Sequence, residues 1–203
     1  MHPTTIRILG VSGALGAIVW AIGWLQAGVP PEGTMDQMEL VASGVFQLGL
    51  LGLLVVMRVT KATGAGRLGR FVVNAEIVAV LLAFAWTVPF ALDPTRDHTT
   101  FFVVLDVFWP LSMLGTLVVG IAVLLARRWP MPARVLPLAA GLLIPIDIVL
   151  MATGLAGDWG EIVIRSVYLA VAYTVLGFAV ATQVAAQARV GTPSSERPSA
   201  EAR

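Results

Sequence analysis

An all-α, polytopic membrane bundle of six transmembrane helices with both termini cytoplasmic follows from three features of the sequence. Hydrophobic residues make up 58% of the 203 and charged residues only 12%. The apolar residues gather into six long runs: Ile6–Ala27, Leu40–Met57, Phe71–Leu92, Thr100–Ala126, Val135–Leu155 and Ile162–Ala188. Basic residues fall in every second connection between them. A hydrocarbon core of ~30 Å needs about 20 apolar residues per helix. The runs lack the alternation of a barrel strand, and an open sheet cannot span lipid, so helices are expected.

The connections orient the bundle. Segment 28–38 has acids and no Lys or Arg, whereas 58–70 carries Arg58, Lys61, Arg67 and Arg70. Segment 93–99 sets Asp93 and Asp97 against Arg96; 127–134 holds Arg127, Arg128 and Arg134; 156–161 has Asp158 and Glu161. With Arg7 at the beginning of the first span and Arg189 after the last, the positive-inside rule puts both ends in the cytoplasm. The weak n-region and long apolar run of residues 1–27 argue against a cleaved signal peptide. Residues 1–189 therefore read as one six-span domain. Residues 190–203, rich in Ser, Pro and charge, read as a disordered cytoplasmic tail. The abundance of Ala, Val, Gly and Arg suggests a bacterial source, hence a bacterial cytoplasmic membrane.

Taken in order, the spans carry polar residues that lipid does not tolerate alone. Gly13, Gly16 and Ala17 in the first suit close packing. Glu39, Ser43 and Gln47 form an i, i+4, i+8 stripe down the second. In the third, Asn74 and Glu76 share the span with Ala79, Val80, Ala83 and Thr87, a small-residue face that suits a neighbouring helix or a cavity. Asp106 in the fourth stands in the run FFVVLDVFWP, ~9 Å below the outer end at the helical rise. Asp147 follows Pro145 in the fifth, and Glu161, Arg165 and Tyr168 lie near the outer end of the sixth. Pro89, Pro110 and Pro145 should each disturb their helix. Four spans thus place polar groups in the outer half, where they are expected to face one another.

No cysteine is present, which excludes a thiolate nucleophile or an iron–sulfur centre. His2 and His98 lie in a terminus and a loop, and no aspartate-rich diphosphate–metal motif occurs, so neither metal nor cofactor is expected. What remains is acids among aromatics. A carboxylic acid in apolar surroundings keeps its proton and can donate it, even to an alkene. Aromatic faces stabilise the resulting cation. This chemistry is proton-initiated terpene cyclisation. Asp106 is the preferred acid, Asp147 the runner-up or its partner, and Glu76 or water the acceptor of the final proton. Phe102, Trp109 and Tyr168 would stabilise the cation, with Arg165, Gln47 and Trp86 lining the substrate site. Asp106 or Asp147 paired with Arg165 in a purely structural salt bridge is the competing reading. Transport along the same polar groups and a non-catalytic accessory role compete with cyclisation as well.

In its small size, helical bundle, absent metal motif and intramembrane acids with aromatics, the chain resembles the small integral-membrane terpene cyclases of meroterpenoid and indole- or diketopiperazine-terpene pathways. The resemblance is one of architecture and residue inventory. It implies a lipophilic prenylated substrate within the membrane, with no nucleic acid partner. Fungal members have seven spans against six here, so no family residue is carried over.

Overall fold

The computed structural model describes residues 1–29, 36–154 and 156–190. The described residues are helical without strands: α1 (Pro3–Ala27), α2 (Gln37–Val59), α3 (Arg67–Leu92), α4 (Thr100–Asp106), α5 (Phe108–Ala126), α6 (Leu136–Gly141), α7 (Leu143–Thr153), α8 (Gly157–Ala179) and α9 (Ala185–Val190). A π-helical turn, Val180–Val184, joins α8 to α9. Six segments are long and apolar enough to cross a membrane: α1, α2, α3, α4–α5, α6–α7 and α8–α9. Val190, the first residue of the expected tail, ends α9, and the rest of that tail lies outside the described residues. Span two starts at Gln37, ahead of its apolar run, because Asp36 caps it: Oδ1 accepts from the Glu39 N–H at 2.9 Å.

Consecutive spans pack on one another and α8 returns to α1, giving an up-and-down ring. Glycine holds α1 against both neighbours. A Cβ on Gly177 would collide with the Gly10 carbonyl oxygen, and one on Gly49 would lie 2.7 Å from that of Ser12. These backbones touch. Lipid gives helices no hydrophobic reason to associate, so such contacts and the dispersion they permit hold the bundle together. Trp20, Phe46 and Tyr173 fill the centre. Trp20 stacks on Phe46 at 4.6 Å and meets Trp109 edge-on at 5.5 Å, while Tyr173 meets Phe46 edge-on at 5.0 Å.

Two of the three prolines interrupt their helices. Pro110 cannot donate to the Asp106 carbonyl, and the helix breaks at Val107; Pro145 likewise leaves Gly141 without its donor, and the break falls at Leu142. The third expectation fails, since α3 runs through Pro89 to Leu92. That proline lies in the last turn, where little helix remains to be redirected.

Antiparallel packing collects most of the described basic residues at one end of the ring. Arg58 Nε donates to Asn74 Oδ1 at 2.7 Å there, while Gln37 donates to the Ala91 carbonyl at 3.0 Å at the opposite, acid-rich end.

Replacing Gly177 by Leu should force α8 off α1 and destabilise the fold by at least about 1–3 kcal/mol. Gly66→Ala, where nothing lies within 4 Å of the added carbon, should stay within about 0.5 kcal/mol of wild type. Thermal melting in detergent compares the two. Equal melting temperatures would refute close α1–α8 packing.

Candidate functional site

Glu76 lies nine residues into α3, about 14 Å from its start at the helical rise. It is 3% exposed. Its position follows from the helix register: Val73, Glu76, Val80 and Ala83 all turn inward. Thr116 of α5 donates to Glu76 Oε1 at 3.0 Å, and its hydroxyl also contacts the Ser112 carbonyl at 3.0 Å. The other oxygen lies over bare backbone: a Cβ on Gly115 would collide with Oε2. Only glycine leaves room for that carboxyl group. The Tyr173 hydroxyl, fully buried in α8, has Glu76 and Thr116 as polar neighbours but forms no well-aligned hydrogen bond.

The ion pairs found among the described residues both belong to Arg165, so Glu76 has no cation within salt-bridge distance. Beside it a groove of about 300 Å³ runs between α3 and α5, with Glu76 and Gly115 in its wall. Phe71, Val72, Ala79, Leu111 and Val118 make the rest of the lining mainly apolar. Phe71, Leu111 and Val118 are exposed on the outer surface of the bundle. Of the small-residue face of α3, Ala79 borders the cleft and Thr87 meets Gln47 of α2. An apolar molecule in this groove would lie against a carboxyl group whose inner oxygen is already held.

A second cluster closes the acid-rich end. Arg165 Nε donates to Asp147 Oδ1 at 2.8 Å, and its Nη2 lies 3.7 Å from Glu161 Oε2. Asp147 and Arg165 keep 13% and 24% side-chain exposure. The Asp147–Arg165 pair thus takes the form of the structural salt bridge, tying α7 to α8. Tyr168, one turn below Arg165, donates to the Ala139 carbonyl and ties α8 to α6. Glu39 Oε1 accepts from the indoles of Trp20 and Trp24, at 3.3 and 3.0 Å. Glu39, Glu161 and Arg165 border a cleft of about 390 Å³.

Asp106 is the main correction. It is exposed, not buried, and it pairs with neither Arg165 nor Asp147. Phe102 and the buried Leu105 turn toward the bundle, whereas Val103, Asp106 and Pro110 share the exposed side. Sequence proximity to Phe108 and Trp109 therefore gives Asp106 no aromatic enclosure. Phe102 instead stacks edge-on with Phe90, whose ring also meets Trp86 and His98. Trp109 packs on Trp20. Gln47 Nε2 donates to Thr87 Oγ1 at 3.0 Å, joining α2 to α3. These aromatics are divided between packed clusters and do not gather around either aspartate.

Gly115, Thr116 and Tyr173 were not singled out in the sequence. A Gly–Thr pair within the apolar run of the fourth span was the available signal for the first two. The partnership with Glu76, forty residues away, becomes visible only when α3 meets α5.

Gly115→Ala should destabilise the protein by about 1–3 kcal/mol, and combining it with Glu76→Ala should recover most of that loss, since the smaller side chain vacates the space. Melting of the four species in detergent tests the contact, and purely additive effects would refute it. Arg165→Gln should cost about 1–3 kcal/mol by leaving Asp147 unpaired. Adding Asp147→Asn should restore part of it, with a coupling of at least about 0.5 kcal/mol.

Comparison with family models, curated proteins and solved structures gave no match to this chain.

Proposed function

We propose that this chain is a multi-pass protein of a bacterial cytoplasmic membrane, basic end inward, that takes a lipid-soluble prenylated molecule into the α3–α5 groove and exchanges a proton with it through Glu76. The observation that carries this reading is the Glu76 carboxyl itself: Oε1 held by Thr116, Oε2 over Gly115, no counter-cation nearby, and a mainly apolar cleft alongside. A carboxyl group without a cation in apolar surroundings is least costly with its proton on. An apolar ligand in the groove keeps water away from that proton.

As an enzyme, the chain would be a metal-independent terpene cyclase with Glu76, in place of Asp106, as the acid. The Glu76 O–H bond breaks as a C–H bond forms at one alkene carbon, leaving a carbocation and a carboxylate. An internal alkene closes the ring, and the new cation returns a proton to Glu76. Product and substrate are isomers and the acid is regenerated. Phe71, which lines the groove, offers an aromatic face to the cation. Thr116 keeps the carboxyl oriented while charge appears on it.

One observation favours a second reading, proton-coupled transport. The polar pairs Glu39–Trp24, Gln47–Thr87, Glu76–Thr116 and Arg58–Asn74 stand at successive levels between the acid-rich and basic ends.

The test begins with a hydrophobic carbodiimide, which reacts with protonated carboxyl groups reached from lipid. Peptide mass spectrometry should find the adduct on Glu76, and prenylated ligands should reduce its yield. Linear farnesyl- and geranylgeranyl-bearing compounds should then give a product of unchanged mass and new retention time. Glu76→Gln should slow this by about 10²–10⁴-fold, whereas Asp106→Asn should leave it unchanged. An unmodified Glu76 would sink the groove reading. Ligand protection without an isomer, together with proton flux lost in Glu76→Gln proteoliposomes, would decide for transport.

A further inference from the structure

At the basic end, a cavity of about 690 Å³ opens between the start of α1, the end of α2, the α5–α6 connection and the π-helical turn with α9. Its floor is apolar, with Ile6 and Val184 at 1% and 2% exposure. Lys61 and Arg128, both exposed, stand on its rim. Neither forms an ion pair among the described residues. Clusters of basic residues at a membrane surface are ordinary, but these two have a built setting. Trp129 Nε1 donates to Thr60 Oγ1 at 3.0 Å, which fixes the residue before Lys61. Thr60 Oγ1 in turn contacts the Val56 carbonyl at 2.7 Å. Gln187 Nε2 donates to the Arg128 carbonyl at 3.4 Å, which ties that residue to the last helix. Lys61 itself adopts φ 56°, a left-handed conformation that glycine takes at lower cost.

We propose that this cavity holds the phosphate of an anionic phospholipid, with Lys61 and Arg128 as its cationic partners and the Ile6–Val184 floor receiving the start of an acyl chain. Charge complementarity selects the head, since paired cations without carboxylates attract a phosphodiester and leave a zwitterionic head at a disadvantage. The apolar floor selects an amphiphile over a free anion. Trp129, an indole between polar rim and apolar interior, suits the headgroup level. The site is separate from the Glu76 groove and does not depend on the chemistry there.

Purified full-length chain in a neutral detergent would be melted with phosphatidylglycerol, with phosphatidylcholine, and with inorganic phosphate. Saturating phosphatidylglycerol should raise Tm by about 5–10 °C, and native mass spectrometry should show one retained lipid. Phosphatidylcholine and phosphate should do neither. Lys61→Gln with Arg128→Gln should abolish both effects, whereas Arg67→Gln with Arg70→Gln, at the same end of the bundle, should preserve them. Should the first pair fail to fold, the single variants Lys61→Gln and Arg128→Gln are measured instead, each expected to weaken retention at least tenfold. Stabilisation that survives loss of both cations overturns the proposal. So does equal loss in the Arg67/Arg70 variant, which would indicate a diffuse field, or full stabilisation by phosphate alone, which would indicate a soluble anion.

Discussion

Backbone contact between α1 and its neighbours sets the geometry on which the bundle depends. Lipid tails solvate Leu and Val as well as another helix does, so association must come from how closely two helices approach. Gly10 meets Gly177 on one side of α1 and Gly49 meets Ser12 on the other. With α2 and α8 held this way, Phe46 and Tyr173 are brought edge to face and Trp20 closes over Phe46. The centre is therefore filled by rings from several spans. Tyr173 also reaches the level of Thr116 and Glu76. A loss of close approach at α1 would be felt at the Glu76 site, although no residue of α1 lines the groove.

The intramembrane polar groups are treated in two ways. Some are neutralised or paired across a helix seam: Asp147 by Arg165, Gln47 Nε2 by Thr87. These contacts fix register between helices, and each satisfies groups that lipid cannot. Glu76 stands apart because its partner is a neutral hydroxyl and its second oxygen lies over a glycine. A carboxyl group so placed contributes less to packing than a hydrophobic residue of similar size would. Its position beside a mainly apolar cleft is the observation on which the proposal for Glu76, and not for the Arg165 cluster, rests.

The breaks at Val107 and Leu142 fall in neighbouring spans, and both arise from prolines that withhold a hydrogen bond four residues upstream. They divide the fourth and fifth spans into short outer or inner pieces and longer remainders. Gly120 and Gly141 then let α5 and α6 meet at backbone distance, with added Cβ atoms only 2.5 Å from Leu138 Cα and Leu117 Cα. This contact holds α5 from the side opposite α3. Gly115 and Thr116 are thereby presented to Glu76 by a helix anchored on both flanks.

Much was legible in the sequence. Apolar length determined six spans, because a helix must satisfy its own backbone across ~30 Å of hydrocarbon. Alternating basic connections determined which ends lie together. The Glu39–Ser43–Gln47 stripe and the close packing of Gly13, Gly16 and Ala17 follow from helical period and side-chain size, and all except partly buried Glu39 are buried. Only the tertiary structure decided which acid meets which partner. Asp106 and Glu76 are both single carboxyls in apolar runs, and composition favours Asp106 for its aromatic neighbours. Helix rotation reverses that preference, turning Asp106 outward with Val103 and Glu76 inward with Val73 and Val80. In a span that is apolar on every side, the sequence carries almost no amphipathic signal to set that rotation. It is set by packing against residues distant in the chain, as where Gly115 of α5 leaves room for Glu76 of α3 and Phe90 of α3 takes up Phe102 of α4.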